Sequence, residues 1–81
     1  MTELAKWEEL TYYMLKEETP TKHIILVVDQ YGRKATYRLE QGFEILNELK
    51  AEDKVKAARM IRDMKDDFLD YWNEIKAKSQ H

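Results

Sequence analysis

The chain contains no cysteine, so no disulfide can form and no thiolate is present as nucleophile or metal ligand. Histidine is limited to His23 and His81, which excludes a Cys/His zinc cluster. Breakers are scarce: Pro20, Gly32 and Gly42 are all there are, and no low-complexity stretch occurs. A chain ordered almost throughout is expected. Long apolar runs are missing as well. The longest, Ile24-Ile25-Leu26-Val27-Val28, is far too short to span a bilayer. The opening MTELAKWEEL holds acidic side chains and no apolar segment of signal-peptide length. By elimination, a soluble, cytoplasmic protein is expected. Charge of one sign is also lacking, since the net charge is −2 although 37% of residues are charged. Neither a strongly basic nucleic-acid binder nor a strongly acidic DNA mimic is then the default.

Eighty-one residues are expected to form one domain, 1–81, with a modest core. Such a chain buries only roughly 60–65% of its unfolded surface and usually needs a disulfide, a metal or oligomerisation. With the first two excluded, oligomerisation is the staple that remains.

Residues 2–18 read as an amphipathic helix with Thr2 as N-cap, its apolar face made by Leu4, Trp7, Leu10 or Thr11, Met14 and Leu15. Thr19-Pro20-Thr21 ends it. Residues 22–29 read as a strand apolar on both faces. Asp29-Gln30-Tyr31-Gly32 carries the signature of a turn with a positive φ at Gly32. Lys34 to Leu39 returns as a second strand, with Ala35, Tyr37 and Leu39 on one side and Lys34, Thr36 and Arg38 on the other. Residues 40–50 fit a short helix with Phe43, Leu46 and Leu49 inward. Ala51-Glu52-Asp53 then starts a long helix running to about residue 78, since acids suit the positive dipole end. A single bent helix over 40–78 is the alternative. The expected fold is α+β, in the order helix, β-hairpin, short helix, long C-terminal helix.

Two features of that arrangement call for a second chain. The last helix would be about 40 Å long, whereas a compact chain of this size is about 30 Å across. A lone hairpin is marginal in water and leaves a free edge. A homodimer would answer both. Ala57, Ile61, Met64, Phe68, Tyr71 and Ile75 follow 4-3-4-3-4 spacing, a heptad seam, flanked by Met60 and Trp72. Leu69 falls outside the seam. Leu69, Tyr71, Trp72 and Ile75 are therefore candidates for a dimer or partner interface.

The segment KDDFLDYW contains Asp66-Asp67-x-x-Asp70. It resembles the string on which enzymes that ionise isoprenoid diphosphates hold Mg²⁺. Those enzymes need a large helical barrel and a second acidic motif. This chain lacks the second motif and the length to enclose a prenyl tail, so no metal or cofactor is expected. Asp63, Asp67, Asp70 and Glu74 instead form one carboxylate stripe beside the seam. The stripe is either a solvated helix face or a docking surface for a basic partner.

Basic residues gather in two places. Lys22, Arg33, Lys34 and Arg38 stand against Asp29, and Lys50, Lys54, Lys56, Arg59 and Arg62 against Glu52 and Asp53. Tyr31, Arg33 and Lys34 put an aromatic beside two cations at a hairpin tip, a pairing that suits bases and phosphates. The plainer role is edge protection by charge. His23 lacks a serine or cysteine to activate and is expected at the surface. Tyr12 and Tyr13 are adjacent, so at most one is fully core. Trp7 and Trp72 are expected in the core. No phosphate-cradling glycine loop or nucleophile–base pair can be assembled, so an enzyme is not expected. The resulting expectation is a regulatory protein-binding module, an adaptor or inhibitor of the kind mobile elements and small operons encode. Nucleic-acid binding through the hairpin and the first half of the long helix is the alternative.

Overall fold

In the computed structural model, which describes residues 1–79, five antiparallel strands precede two helices. The strands are β1 (Thr2–Trp7), β2 (Leu10–Thr19), β3 (Lys22–Val28), β4 (Lys34–Arg38) and β5 (Phe43–Asn47), paired in sequence order. The helices are α1 (Ala51–Asp63) and α2 (Lys65–Ser79). The domain is α+β, but the expected order of elements is overturned, because no helix precedes the hairpin.

Residues 2–18 form the β1–β2 hairpin rather than a helix. The apolar residues of β2 satisfy period two as well as period 3.6: Leu10, Tyr12 and Met14 are buried and alternate with half-buried Thr11 and Tyr13. β-branched and aromatic content favours the strand. The connecting loop is Glu8-Glu9, two residues both at positive φ (49° and 69°) between the paired Trp7 and Leu10. That loop matches strand twist but normally recruits Asn and Gly. Pro20-Thr21 is likewise not a helix stop. It is the two-residue loop between Thr19 and Lys22, which pair across β2 and β3.

The β3–β4 hairpin is as expected. Asp29 Oδ1 accepts the N–H groups of Tyr31 and Arg33, both at 2.8 Å, and Gly32 has φ 85°. Ala35, Tyr37 and Leu39 are buried. The expected short helix at 40–50 is instead strand β5, which pairs with β4 after a turn closed by Gly42 N–H to Arg38 C=O, 2.8 Å, with Gly42 at φ 71°. Leu49 is buried as expected, whereas Phe43 and Leu46 are exposed.

The long helix is broken at Met64, which has φ −107° and ψ 15°. Met64 N–H still bonds Met60 C=O and Phe68 N–H bonds Met64 C=O, both at 2.8 Å, so hydrogen bonding continues through the break. Asp66 and Asp67 thereby occupy the first turn of α2, where the dipole favours anions. Ala57, Ile61 and Phe68 pack on one face of the sheet, in a core with Leu10, Tyr12, Met14, Ile25, Val27, Ala35, Tyr37 and Leu39. The Phe68 and Tyr12 rings lie 5.4 Å apart.

The premises for a homodimer both change. The hairpin is flanked by β2 and β5, and the helix is two shorter ones, the second tied to β2 through Trp72 and Lys76. Leu69, expected outside the stripe, is half-buried against the core, as are Trp72, Met60 and Met64. Trp7, expected inside, is 59% exposed at the sheet margin. Among the described residues, no helix is long and apolar enough to cross a membrane.

Two substitutions test this architecture. Phe68→Ala should lower stability by about 3–5 kcal/mol in urea unfolding, the range for emptying an aromatic core site. Replacing Glu8-Glu9 by Asn-Gly should raise it by about 1–2 kcal/mol, through relief of left-handed backbone. An unchanged midpoint for the second variant would show that the loop carries no strain.

Candidate functional site

With both helices on one face, the other face of the sheet lies open, and strand register arranges it in three rows. The middle row runs Glu3, Tyr13, Leu26, Thr36, Leu46 from β1 to β5, each directly opposite the next. One flanking row is Lys6, Thr11, Val28, Lys34, and the other is Lys16, Ile24, Arg38, Phe43. Pairs of this kind touch side by side across strands. The face therefore carries an apolar patch of Tyr13, Ile24, Leu26, Val28, Phe43 and Leu46, interrupted by Thr36 and bordered by Glu3, with cations in both flanks. Lys6, Lys16, Lys34 and Arg38 outnumber Glu3 and Glu18, the latter bonded to Arg38 at 2.9 Å. Leu26 is only 6% exposed although no layer covers it, because its neighbours in the rows crowd it. Phe43 (63%) and Leu46 (54%) stand well out on edge strand β5, with Ile45 beside them. An exposed apolar group of this kind on an edge strand marks a contact surface.

The hairpin tip expected to bind a partner, Tyr31, Arg33 and Lys34, is exposed and adjoins this face through Lys34. Arg33 stacks over the Tyr31 ring at 5.3 Å and its Nε lies 3.6 Å from Asp29. Aromatic and cation are thus already partnered within the tip. The acidic stripe is split by the break at Met64: Asp63 ends α1, beside Arg62 at 3.3 Å, while Asp67, Asp70 and Glu74 are exposed on α2. Of the apolar interface candidates, Tyr71 is exposed, whereas Leu69, Trp72 and Ile75 are half-buried. The basic residues of α1 lie elsewhere. Lys56 and Arg59 line a groove of about 450 Å³ with Trp7, Met60 and Met64 between β1 and α1.

A second cluster was invisible in the sequence. His23, expected at the surface, is 3% exposed. Its Nδ1 lies 2.5 Å from Glu40 Oε2 and its Nε2 lies 2.9 Å from Glu17 Oε2. An ionised carboxylate only accepts, so both contacts are hydrogen bonds when both ring nitrogens carry protons. The same Glu17 oxygen accepts from Lys76 Nζ at 2.8 Å and Trp72 Nε1 at 3.0 Å, and Lys76 lies over the Trp72 ring. These hydrogen bonds, the one from Lys76 foremost, then His23 and Trp72, hold the Glu17 carboxyl down from 4.5 to about 2. Burial alone would push Glu40 up, but hydrogen bonds from the His23 ring and backbone outweigh it and its carboxyl is lowered. The cluster joins β2, β3 and the β4–β5 turn to α2 and so ties the helix to the sheet. Among the described residues, no group of three or more His, Cys, Asp or Glu is arranged to hold a metal ion.

In comparisons with known proteins, no family model matches the chain, and neither a curated protein nor a solved structure does so.

A carboxyl depressed in the folded state contributes its stability above the unfolded value and loses it as pH falls. For Glu17 the window runs from about 4.5 down to about 2. Glu17→Gln should lower stability at neutral pH by about 1–3 kcal/mol, as for a charge-assisted hydrogen-bond node. It should also flatten the decline across that window. Urea unfolding at several pH values checks both, and parallel curves for the two proteins would contradict the assignment.

Proposed function

We propose that the chain is a small, non-catalytic binding module that engages an anionic macromolecule with the open face of its sheet. The observation that supports this is the three-row register itself. It places Tyr13, Ile24, Leu26, Val28, Phe43 and Leu46 together on an uncovered surface, with cations from β1, β2 and β4 alongside them. An antiparallel sheet can keep one face wet, but such a face is ordinarily polar. Here the wet side keeps an apolar row, and Phe43 and Leu46 lie where burial against a partner removes them from water. The exposed acids Asp67, Asp70 and Glu74 lie on α2 in the opposite layer, where Lys54, Lys56, Arg59 and Arg62 of α1 balance them. The sheet face, with four cations to two acids, is the side toward which an anionic partner is drawn. The working surface thus moves from the α2 stripe to the sheet, and the expected partner changes from basic to acidic. A regulatory role through occlusion of that partner fits a module with no nucleophile–base pair among the described residues.

Quantitative cross-linked capture from cells that make the protein tests this reading. Phe43→Glu with Leu46→Glu should remove most captured macromolecules, while Asp67→Lys with Glu74→Lys should leave them in place. The reverse pattern would return the working surface to α2. Both residues of the first variant are exposed, so an unchanged melting temperature is expected alongside the loss.

A further inference from the structure

We infer that the anionic partner of the open sheet face is single-stranded nucleic acid, with bases on the apolar rows and phosphates on the flanking cations. This rests on the function proposed above and names its ligand. Two aromatic rings belong to the face, Tyr13 in the middle row and Phe43 in a flank, and they sit on β2 and β5, three strands apart. Three strand spacings of about 4.8 Å and a two-residue offset of about 6.6 Å along the strands put them roughly 16 Å from each other. Between them lie Ile24 and Leu26 of β3. A flat ligand with several separate apolar faces covers such a platform, and unstacked bases are ligands of that kind. The cations are spread along two margins: Lys6 and Lys34 at opposite ends of one row, Lys16 and Arg38 in the other. A linear polyanion meets charges distributed in this way, whereas a single carboxylate or phosphate does not need them.

Other occupants fit less well. Partner side chains that anchor protein interfaces fill pockets, and the groove beside Trp7 lies between β1 and α1 rather than on this face. A second copy would set like-charged flanks against each other. The face measures about 24 Å by 17 Å, on the order of 400 Å² per copy. That is about half of what a stable pair buries on each side. Duplex nucleic acid keeps its bases stacked and offers no free base face to a sheet with exposed rings.

Fluorescence anisotropy with a labelled oligothymidine of about 12 nucleotides tests the inference on the full chain. The comparison probes are a duplex of the same length, polyglutamate, and phosphatidylserine vesicles. Binding is expected to favour the single strand, with log affinity falling against log salt at a slope near −2, for about three phosphates on Lys6, Lys16 and Lys34, Arg38 being held by Glu18. Lys34→Gln should reduce the steepness of that slope by about 0.7. Phe43→Ala should weaken binding by about tenfold or more, through loss of one stacked base. Lys54→Gln, on the exposed side of α1, should change neither. Absence of single-strand binding at low salt would overturn the inference. So would equal affinity for duplex or polyglutamate, or preference for the vesicles. Self-association abolished by Phe43→Glu would overturn it in favour of a second copy. If the single strand fails while Phe43→Glu with Leu46→Glu still empties the cross-linked capture, the ligand is wrong and the binding face stands. If that variant leaves the capture unchanged, the face itself is wrong.

Discussion

Packing of Ala57, Ile61 and Phe68 onto the Tyr12–Tyr37 face of the sheet is the interaction from which the other features follow. Both helices are committed to that one face. The apolar side chains of β3 that point the other way, Ile24, Leu26 and Val28, are left without a second layer. The tension between a strand apolar on both faces and a cover on only one produces the platform. In a larger domain a further helix would close it. Here the side chains of β2, β4 and β5 crowd around Leu26 and leave the margins open.

The Glu17 node belongs to the same logic. A two-layer domain of this size has little area with which to hold the end of a helix in place. One carboxylate oxygen that receives His23, Trp72 and Lys76 does so with directional bonds instead. The imidazole between Glu17 and Glu40 extends that hold to the β4–β5 turn, and hence to the strand that carries Phe43 and Leu46. The surface that faces a partner and the cluster that anchors α2 are thus two ends of one set of strands.

The part of the fold legible in the sequence is the part with local punctuation. Ile24 to Val28 announces a buried strand, and Asp29 and Gly32 announce the turn that ends it. The alternation from Lys34 to Leu39 announces its partner. The N-terminal hairpin had no such marker. Glu8-Glu9 adopts a backbone normally signalled by Asn-Gly, so its turn is silent, and Leu4, Trp7, Leu10 and Met14 happen to satisfy a helical period. For β5, Gly42 was the available signal, but Phe43, Leu46 and Leu49 at spacing three masked it. The break at Met64 has no glycine or proline, and only Asp66-Asp67 mark the new helix start. The open face was legible strand by strand but not as a surface, because its rows exist only once five strands are in register. The His23 cluster joins residues 17, 23, 40, 72 and 76, a combination that no spacing rule brings together.

The meander topology also sets how the chain reaches this state. Every strand pairs with its neighbour in sequence, so sheet growth needs only short loop closures, and domains dominated by such local contacts fold rapidly. The Glu17 bonds to Trp72 and Lys76 close over 55 and 59 residues. Their loop-closure cost is smallest when the strands that hold Glu17 are already paired. β3 is apolar on both sides, so the fold must place the helices on the Tyr12 side rather than the Tyr13 side. The Tyr12 side offers Leu10, Met14, Ile25, Val27 and Tyr37, whereas helices on the other side would strip water from Lys6, Lys16 and Lys34. The charges that border the exposed platform thus also count against its being covered by the chain's own helices.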